Sequence, residues 1–290
     1  MTNPLIETEI RSLSERLQSR LDTNTTKSVC DFAAAVGKIG HVAYQGEPLF
    51  NIGESAPDGE DPISELLVRV TDENQQLLPT EASVNEINTL GGHQELDHIV
   101  VLLAMYQAIE EKRLPVSINI SSKNAVSFDK LITYHETLQE FLCGQYRPDQ
   151  ITFELLEDDP ADNPSHDGLR VMRELGYKFA IDDLSHNRPH DERRLANLGP
   201  YMDLVKIDGK TLEALRNSEL SPADFRQFVG RIREQAPEAK ILCEWVNSPR
   251  EALHLKAVYG IDLCQGRDLP HHDKEFRDAL LKPPQMDLNF

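Results

Sequence analysis

The chain has 290 residues, 39% hydrophobic and 27% charged, a composition that excludes a disordered polypeptide and indicates a globular protein with a real core. That length allows two domains, yet α/β barrels commonly use about 200–250 residues as one. The formal net charge of −19 excludes a face built for polymeric DNA or RNA, which needs a basic surface, but is compatible with a small nucleotide whose phosphates are met by metal ions. Cys30, Cys143, Cys243 and Cys264 have neither metal-site nor disulfide-framework spacing and read as reduced, mostly buried thiols. The start is acidic and polar, without a signal-peptide pattern, and the longest apolar run, Ile99 to Tyr106, is too short for a bilayer. The expectation is a soluble cytoplasmic protein with no membrane partner.

In chain order, Asn3-Pro4 opens an amphipathic helix predicted over 4–21, with Ile6, Ile10, Leu13 and Leu17 on one face. That face either packs on the body of the protein or forms a short homodimer seam. From about residue 40, strand and helix signals alternate. Strand-like runs fall at 41–50, 65–71, 116–121, 150–156, 178–183, 202–207, 240–246 and 261–265; helical stretches between them include 95–112, 165–176, 222–235 and 249–258. Strands separated by helices imply βα units and a largely parallel sheet, and eight of them favour a closed barrel. The expected partition is a helical extension over 1–37, a barrel domain over 38–275 and an extended surface tail over 276–290, which contains Pro283-Pro284.

The chemistry sits at or beside the strand-like runs, in Glu-Leu-Leu-Val-Arg (65–69), Ile-Asn-Ile (118–120), Glu-Leu-Leu-Glu (154–157), Asp-Asp (182–183), Lys-Ile-Asp (206–208), Cys-Glu-Trp-Val-Asn (243–247) and Gln-Gly (265–266). Polar groups at strand ends are how a barrel collects a site at one rim. Glu65, Asn119, Glu154, Asp182 and Asp183 supply hard oxygen ligands of the kind Mg²⁺ or Mn²⁺ prefers. Lys206 adds a cation and Glu244 a candidate base. Taken singly, each has a bland reading: a surface ion pair for Glu65 and Arg69, a solvated strand end for 206–208, an acidic turn for Glu157 to Asp159. His186, His190 and His271-His272-Asp273 lack fixed ligand spacing and read as loop histidines.

In order and approximate spacing, the set resembles the EAL-domain family, bacterial phosphodiesterases that open cyclic di-GMP, from about Tyr44 to Pro270. The resemblance implies a TIM-like (β/α)8 barrel with one antiparallel strand, following the N-terminal helical extension. Glu65 opens its run whereas the other site residues close theirs, so the strand of Glu65 is expected to be the reversed one. The resemblance also implies a two-metal site. Glu65, Asn119, Glu154 and Asp182 would hold one Mg²⁺ or Mn²⁺, and Asp183 would help to hold the second. Glu244 would orient or deprotonate the attacking water, Lys206 would position that water or offset phosphate charge, and Glu157 would prop the loop after the paired aspartates. Gln265 would hydrogen-bond within the site, and Gln45, Leu67 and Arg69 would touch the dinucleotide.

Three segments depart from the family. The glycine-rich loop after the paired aspartates, usually Phe-Gly-Thr-Gly, reads Leu184 to Asp191 without glycine; Trp245 and Asn247 stand where the family has a glycine and an acid; and Leu66 replaces the alanine of the name motif. Glycine permits backbone conformations that other residues adopt at a cost. Three functions therefore stay open: a metal-dependent cyclic di-GMP phosphodiesterase, a receptor that binds without cleaving, and a regulator that binds a protein partner.

Overall fold

The computed structural model describes residues 4–21, 24–52, 63–124, 127–156 and 165–269. Eight strands follow one another in chain order around a closed barrel: β1 (Val42–Asn51), β2 (Ile63–Val70), β3 (Val116–Ile120), β4 (Ile151–Leu155), β5 (Lys178–Leu184), β6 (Leu204–Ile207), β7 (Lys240–Cys243) and β8 (Leu263–Cys264). Each coincides with a predicted run to within a few residues. The helices are α1 (Pro4–Gln18), α2 (Lys27–Ala35), α3 (Thr80–Thr89), α4 (His93–Glu110), α5 (Phe128–Leu142), α6 (His166–Glu174), α7 (Pro189–Leu198), α8 (Gly209–Arg216), α9 (Pro222–Gln235) and α10 (Pro249–Tyr259). Ser165, Asp208, Ser221 and Ser248 begin α6, α8, α9 and α10 by accepting backbone N–H groups that the helix itself leaves unpaired. Among the described residues no helix is long and apolar enough to cross a membrane.

The reversed strand is β1, not the strand of Glu65. Phe50 and Asn51 pair antiparallel with Cys264 and Leu263 of β8. At its other end, β1 begins beside the end of β2, where Thr71 N donates to His41 O at 2.9 Å, so these neighbours also run in opposite directions. Placing the reversal on 65–71 assumed that position within a run fixes height in a barrel. Barrel strands are staggered, and an early residue on one strand lies level with a late residue on the next.

The residues form two compact units, Met1–Gly46 with Glu65–Phe179, and Glu47–Ser64 with Ala180–Phe290. In the first, α1 packs on α4 and α2, and Ile6, Ile10, Leu13 and Leu17 are buried by the chain itself. The stripe that a dimer seam would need is thus already covered. β3 and β4 run parallel with Asn119 beside Glu154. Their other face packs through Phe153, which lies 5.6 Å from Tyr134 and 5.5 Å from Tyr177 between ring centroids.

In the second unit, β5 to β8 are parallel. Leu49, Ala180, Leu204, Leu242 and Leu263 form one buried apolar layer. Side chains alternate along a strand, so residues two positions on point the same way. Those residues are Asp182, Lys206, Glu244 and Gln265. Stacked layers are the filling expected of a small barrel, and here an apolar floor carries a polar layer. The cysteines are all free; Cys243 and Cys264 are buried, Cys30 is half-buried and Cys143 exposed.

Candidate metal centre and active site

On β2 to β4, three oxygen donors come together. Glu65 Oε1 accepts from Asn119 Nδ2 at 3.0 Å, and Asn119 lies beside Glu154 in the parallel register. Glu65 and Glu154 are buried. With its amide nitrogen committed to Glu65, Asn119 leaves Oδ1 buried and without a hydrogen bond among the described residues. A buried acceptor in that state is costly unless something else, such as a cation, meets it.

A residue that the sequence did not single out supports this row. Asp97 of α4 is buried, and its Oδ2 accepts from Ser121 N at 2.7 Å, Asn124 Nδ2 at 2.6 Å and Tyr134 Oη at 3.3 Å. This fixes the turn that leaves β3 just after Asn119. Burial, and then the Asp97 charge, push the Tyr134 phenol well above its usual range, so it remains a donor.

In the second unit, β5 carries a bulge. Ile181 pairs with Val205 but Leu184 with Ile207, so Asp182-Asp183 contains one residue more than the facing strand. Asp183 takes up the extra residue with φ +50°, in the left-handed region that aspartate tolerates better than most residues. Adjacent residues of a regular strand point to opposite faces. The bulge instead lets carboxylate oxygens of Asp182, Asp183 and Glu244 lie within 4.8 Å of one another. Lys206, almost wholly buried, places Nζ 2.8 Å from Asp182 and 3.1 Å from Glu244. Three carboxylates against one ammonium leave an excess of negative charge. Burial first, and then the charge of Asp182, raise the Asp183 carboxyl to about 6, with Lys206 opposing. The donor set is all oxygen and the excess charge is negative, which fits a hard divalent cation.

The segment after the bulge is built differently from a glycine-rich loop. Arg194, on α7, is buried and donates from Nη1 to the Asp182 carbonyl at 2.7 Å. Its ion-pair partner Asp191, at 3.7 Å, also accepts from Ser185 N at 2.8 Å. Arg188 reaches the Asp183 carbonyl at 3.5 Å and Asp208 at 3.8 Å. Charged side chains thus hold the backbone where the family pattern relies on glycine.

The remaining predicted residues divide. Gln265 is buried and donates to Glu47 Oε2 at 3.3 Å, which adds a carboxylate on the reversed strand that the sequence reading missed. Leu67 and Arg69 are half-buried, and Gln45 is exposed. Glu157, His271, His272 and Asp273 lie outside the described residues, as does the tail over 276–290. His186 pairs with Thr211 and His190 with Asp191. The one metal-type cluster of acids, histidines and cysteines found among the described residues is that of Asp182, Asp183 and Glu244, which contains no histidine.

Fold and site together define an α/β barrel whose polar layer is a carboxylate cluster suited to divalent cations. The chain belongs to the EAL domain family, whose model matches residues 62–269. It is 26% identical over 133 residues to the uncharacterized protein YuxH of Bacillus subtilis (strain 168), and the matched region covers 46% of this chain and 30% of that protein, so less than a third of YuxH is spanned. Among solved structures it is similar to the FimX EAL domain from Pseudomonas aeruginosa bound to cyclic di-GMP, with a TM-score of 0.65, 16% identity and coverage of 84% of this chain and 95% of that one. It is also similar to the Bacillus subtilis YkuI protein, with an EAL domain, in complex with substrate cyclic di-GMP and calcium; there the TM-score is 0.62, the identity 16% and the coverage 86% of this chain and 62% of that one. At such identities the likeness to the solved structures establishes the fold.

Proposed function

We propose that this protein is a phosphodiesterase that hydrolyses cyclic di-GMP to the linear dinucleotide with Mg²⁺ or Mn²⁺, acting in the reducing cytoplasm to which its free thiols are suited. The observation that carries this reading is the intact charge cluster, with Lys206 set between Asp182 and Glu244 and Asp183 turned toward them by the bulge. Glu65, Asn119, Glu154, Asp182 and Asp183 are the metal ligands we assign, on the order of the family motifs. When bound, the metal supplies Lewis acidity that neutralises charge on the phosphodiester. Glu244 orients the attacking water and takes its proton at a carboxylate oxygen. The Lys206 ammonium lies 3.1 Å from Glu244 and holds that carboxylate in position. Gln265 hydrogen-bonds within the site, and Gln45, Leu67 and Arg69 face the dinucleotide. Glu157 props the segment after the bulge.

Complexes of FimX with cyclic di-GMP, and of YkuI with that substrate and calcium, support both the ligand and the use of a divalent ion. A receptor that binds without cleaving is the second reading, favoured by Trp245, a non-glycine residue with φ +54° where the family carries glycine. Chromatography of cyclic di-GMP incubated with the purified protein and Mn²⁺ separates the two. Linear dinucleotide that disappears with chelator supports the enzyme. Calorimetric binding with no product supports the receptor, and neither binding nor product leaves a regulator that acts through a protein partner.

A further inference from the structure

Trp245 is the sole tryptophan of the chain and follows Glu244 directly. It is 49% exposed, so about half of the residue is open to solvent. Its backbone is left-handed, a conformation that side chains adopt at a cost and that persists where surrounding structure imposes it. That structure is extensive. Glu244 N donates to Ile207 O at 3.2 Å, and Val246 N to Gln265 O at 2.9 Å. Arg216 donates to the Trp245 carbonyl at 2.5 Å while making two hydrogen bonds to Glu251, whose Oε2 also accepts from Asn247 N at 2.8 Å. The indole lies against Gly209, the first residue of α8, where an added Cβ would collide with ring atoms Cδ2 and Cγ. At Gly266 a Cβ would likewise collide with the Val246 carbonyl. Two glycines therefore give up side chains so that this turn, with its ring, can sit where it does.

An aromatic ring held on a fixed turn, half exposed and carried by the residue next to Glu244 of a cluster that fits divalent cations, is arranged for a flat ligand that also carries phosphate. We propose that Trp245 is a stacking platform for a guanine base of cyclic di-GMP. This rests on the reading that cyclic di-GMP is the ligand. Indole is a strong stacking partner for any nucleobase, and a ring already held in place loses little freedom on binding. The backbone cost at Trp245 is thereby linked to a gain that glycine could not provide.

Because the chain has one tryptophan, emission excited beyond the tyrosine absorption band reports on this residue alone. Cyclic di-GMP titrated into the full chain with Ca²⁺ should quench that emission saturably, with a midpoint matching the calorimetric Kd. Trp245→Gly, which suits the left-handed backbone, should weaken calorimetric binding about tenfold or more, and Trp245→Phe should retain most of the affinity. Thermal melts of both variants verify that they fold, and the wild-type quenching needs no variant. Calorimetric binding with unchanged emission, or equal affinity in Trp245→Gly and wild type, would overturn the platform while leaving the ligand assignment intact. Absence of calorimetric binding to the wild type would overturn both.

Discussion

Replacing Lys206 with methionine keeps most of the side-chain stem and removes the ammonium that sits 2.8 Å from Asp182 and 3.1 Å from Glu244. The lysine side chain is 1% exposed and its two partners 10% and 15%, so little water is present to screen what remains. Breaking a buried ion pair from one side costs about 3–5 kcal/mol, because the partner charge is left in a poorly solvating place. For a domain of this size, each kcal/mol moves the midpoint by roughly 2–4 °C, so Lys206→Met should melt about 6–20 °C lower in chelator. The three carboxylates, having lost their internal counter-charge, should then gain more from an added cation than the wild type does. Excess Mn²⁺ should raise the variant's midpoint more than that of the parent, since a ligand that binds only the folded state stabilises it according to its affinity. Scanning calorimetry of both proteins, with chelator and with Mn²⁺, makes the comparison. Equal melting in chelator together with equal Mn²⁺ shifts would refute the claim that Lys206 is the internal counter-ion of a cation site.

Three further outcomes follow from the same geometry. Burial first, and then Arg16, opposed by Glu95, lower the His98 imidazole to about 4, below its unfolded value of about 6.5, so unfolding takes up a proton. Stability should therefore be unaffected by this group above pH 6.5 and fall as pH drops toward 4, losing about 2 kcal/mol by pH 5; denaturant titrations of His98→Gln at pH 7.5 and pH 5 should show a smaller decline than the wild type. Asp97→Ala strands the Ser121, Asn124 and Tyr134 donors and should cost about 3–5 kcal/mol in a urea titration, with Mn²⁺ affinity reduced because the turn after Asn119 loosens. Arg194→Met removes the donor to the Asp182 carbonyl and leaves Asp191 without its guanidinium; calorimetry should show weaker Mn²⁺ binding and a loss of about 3–5 kcal/mol in stability, and unchanged values of both would show that the bulge is held by something else.

The barrel was legible in the sequence because most strands are short apolar runs with a polar residue at or beside one end, and that pattern survives without tertiary information. Direction was not. Assigning the reversed strand to 65–71 ignored barrel stagger, which brings Glu65 level with Asn119 without any reversal. Helix α7 begins inside the segment read as loop, Leu184 to Asp191, and was not among the predicted helical stretches, although Pro189 is well suited to a first helical position. Glu65, Asn119, Glu154, Asp182, Asp183 and Lys206 were singled out because they lie near strand ends in a recognisable order. Asp97, Asp191 and Arg194 were not, since charged residues are assumed exposed until a structure shows their partners, and Asp97 and Arg194 sit on helices outside the motifs. Nothing in local pattern announces a β-bulge, so the convergence of Asp182 and Asp183 on Glu244 also required coordinates. The pairing of Trp245 with Gly209 joins residues 36 positions apart and has no sequence signature of its own.

The most direct test is the Mn²⁺-dependent rate of linear dinucleotide formation from cyclic di-GMP by the wild type and by Glu244→Gln, with binding of both measured by calorimetry in Ca²⁺. If Glu244 handles the proton of the attacking water, the substitution removes an interaction made chiefly in the transition state. Turnover should then fall by about a hundredfold or more while the dissociation constant changes little, in line with the usual contribution of a general base. Product formed equally fast by both proteins, or by neither, would contradict the account.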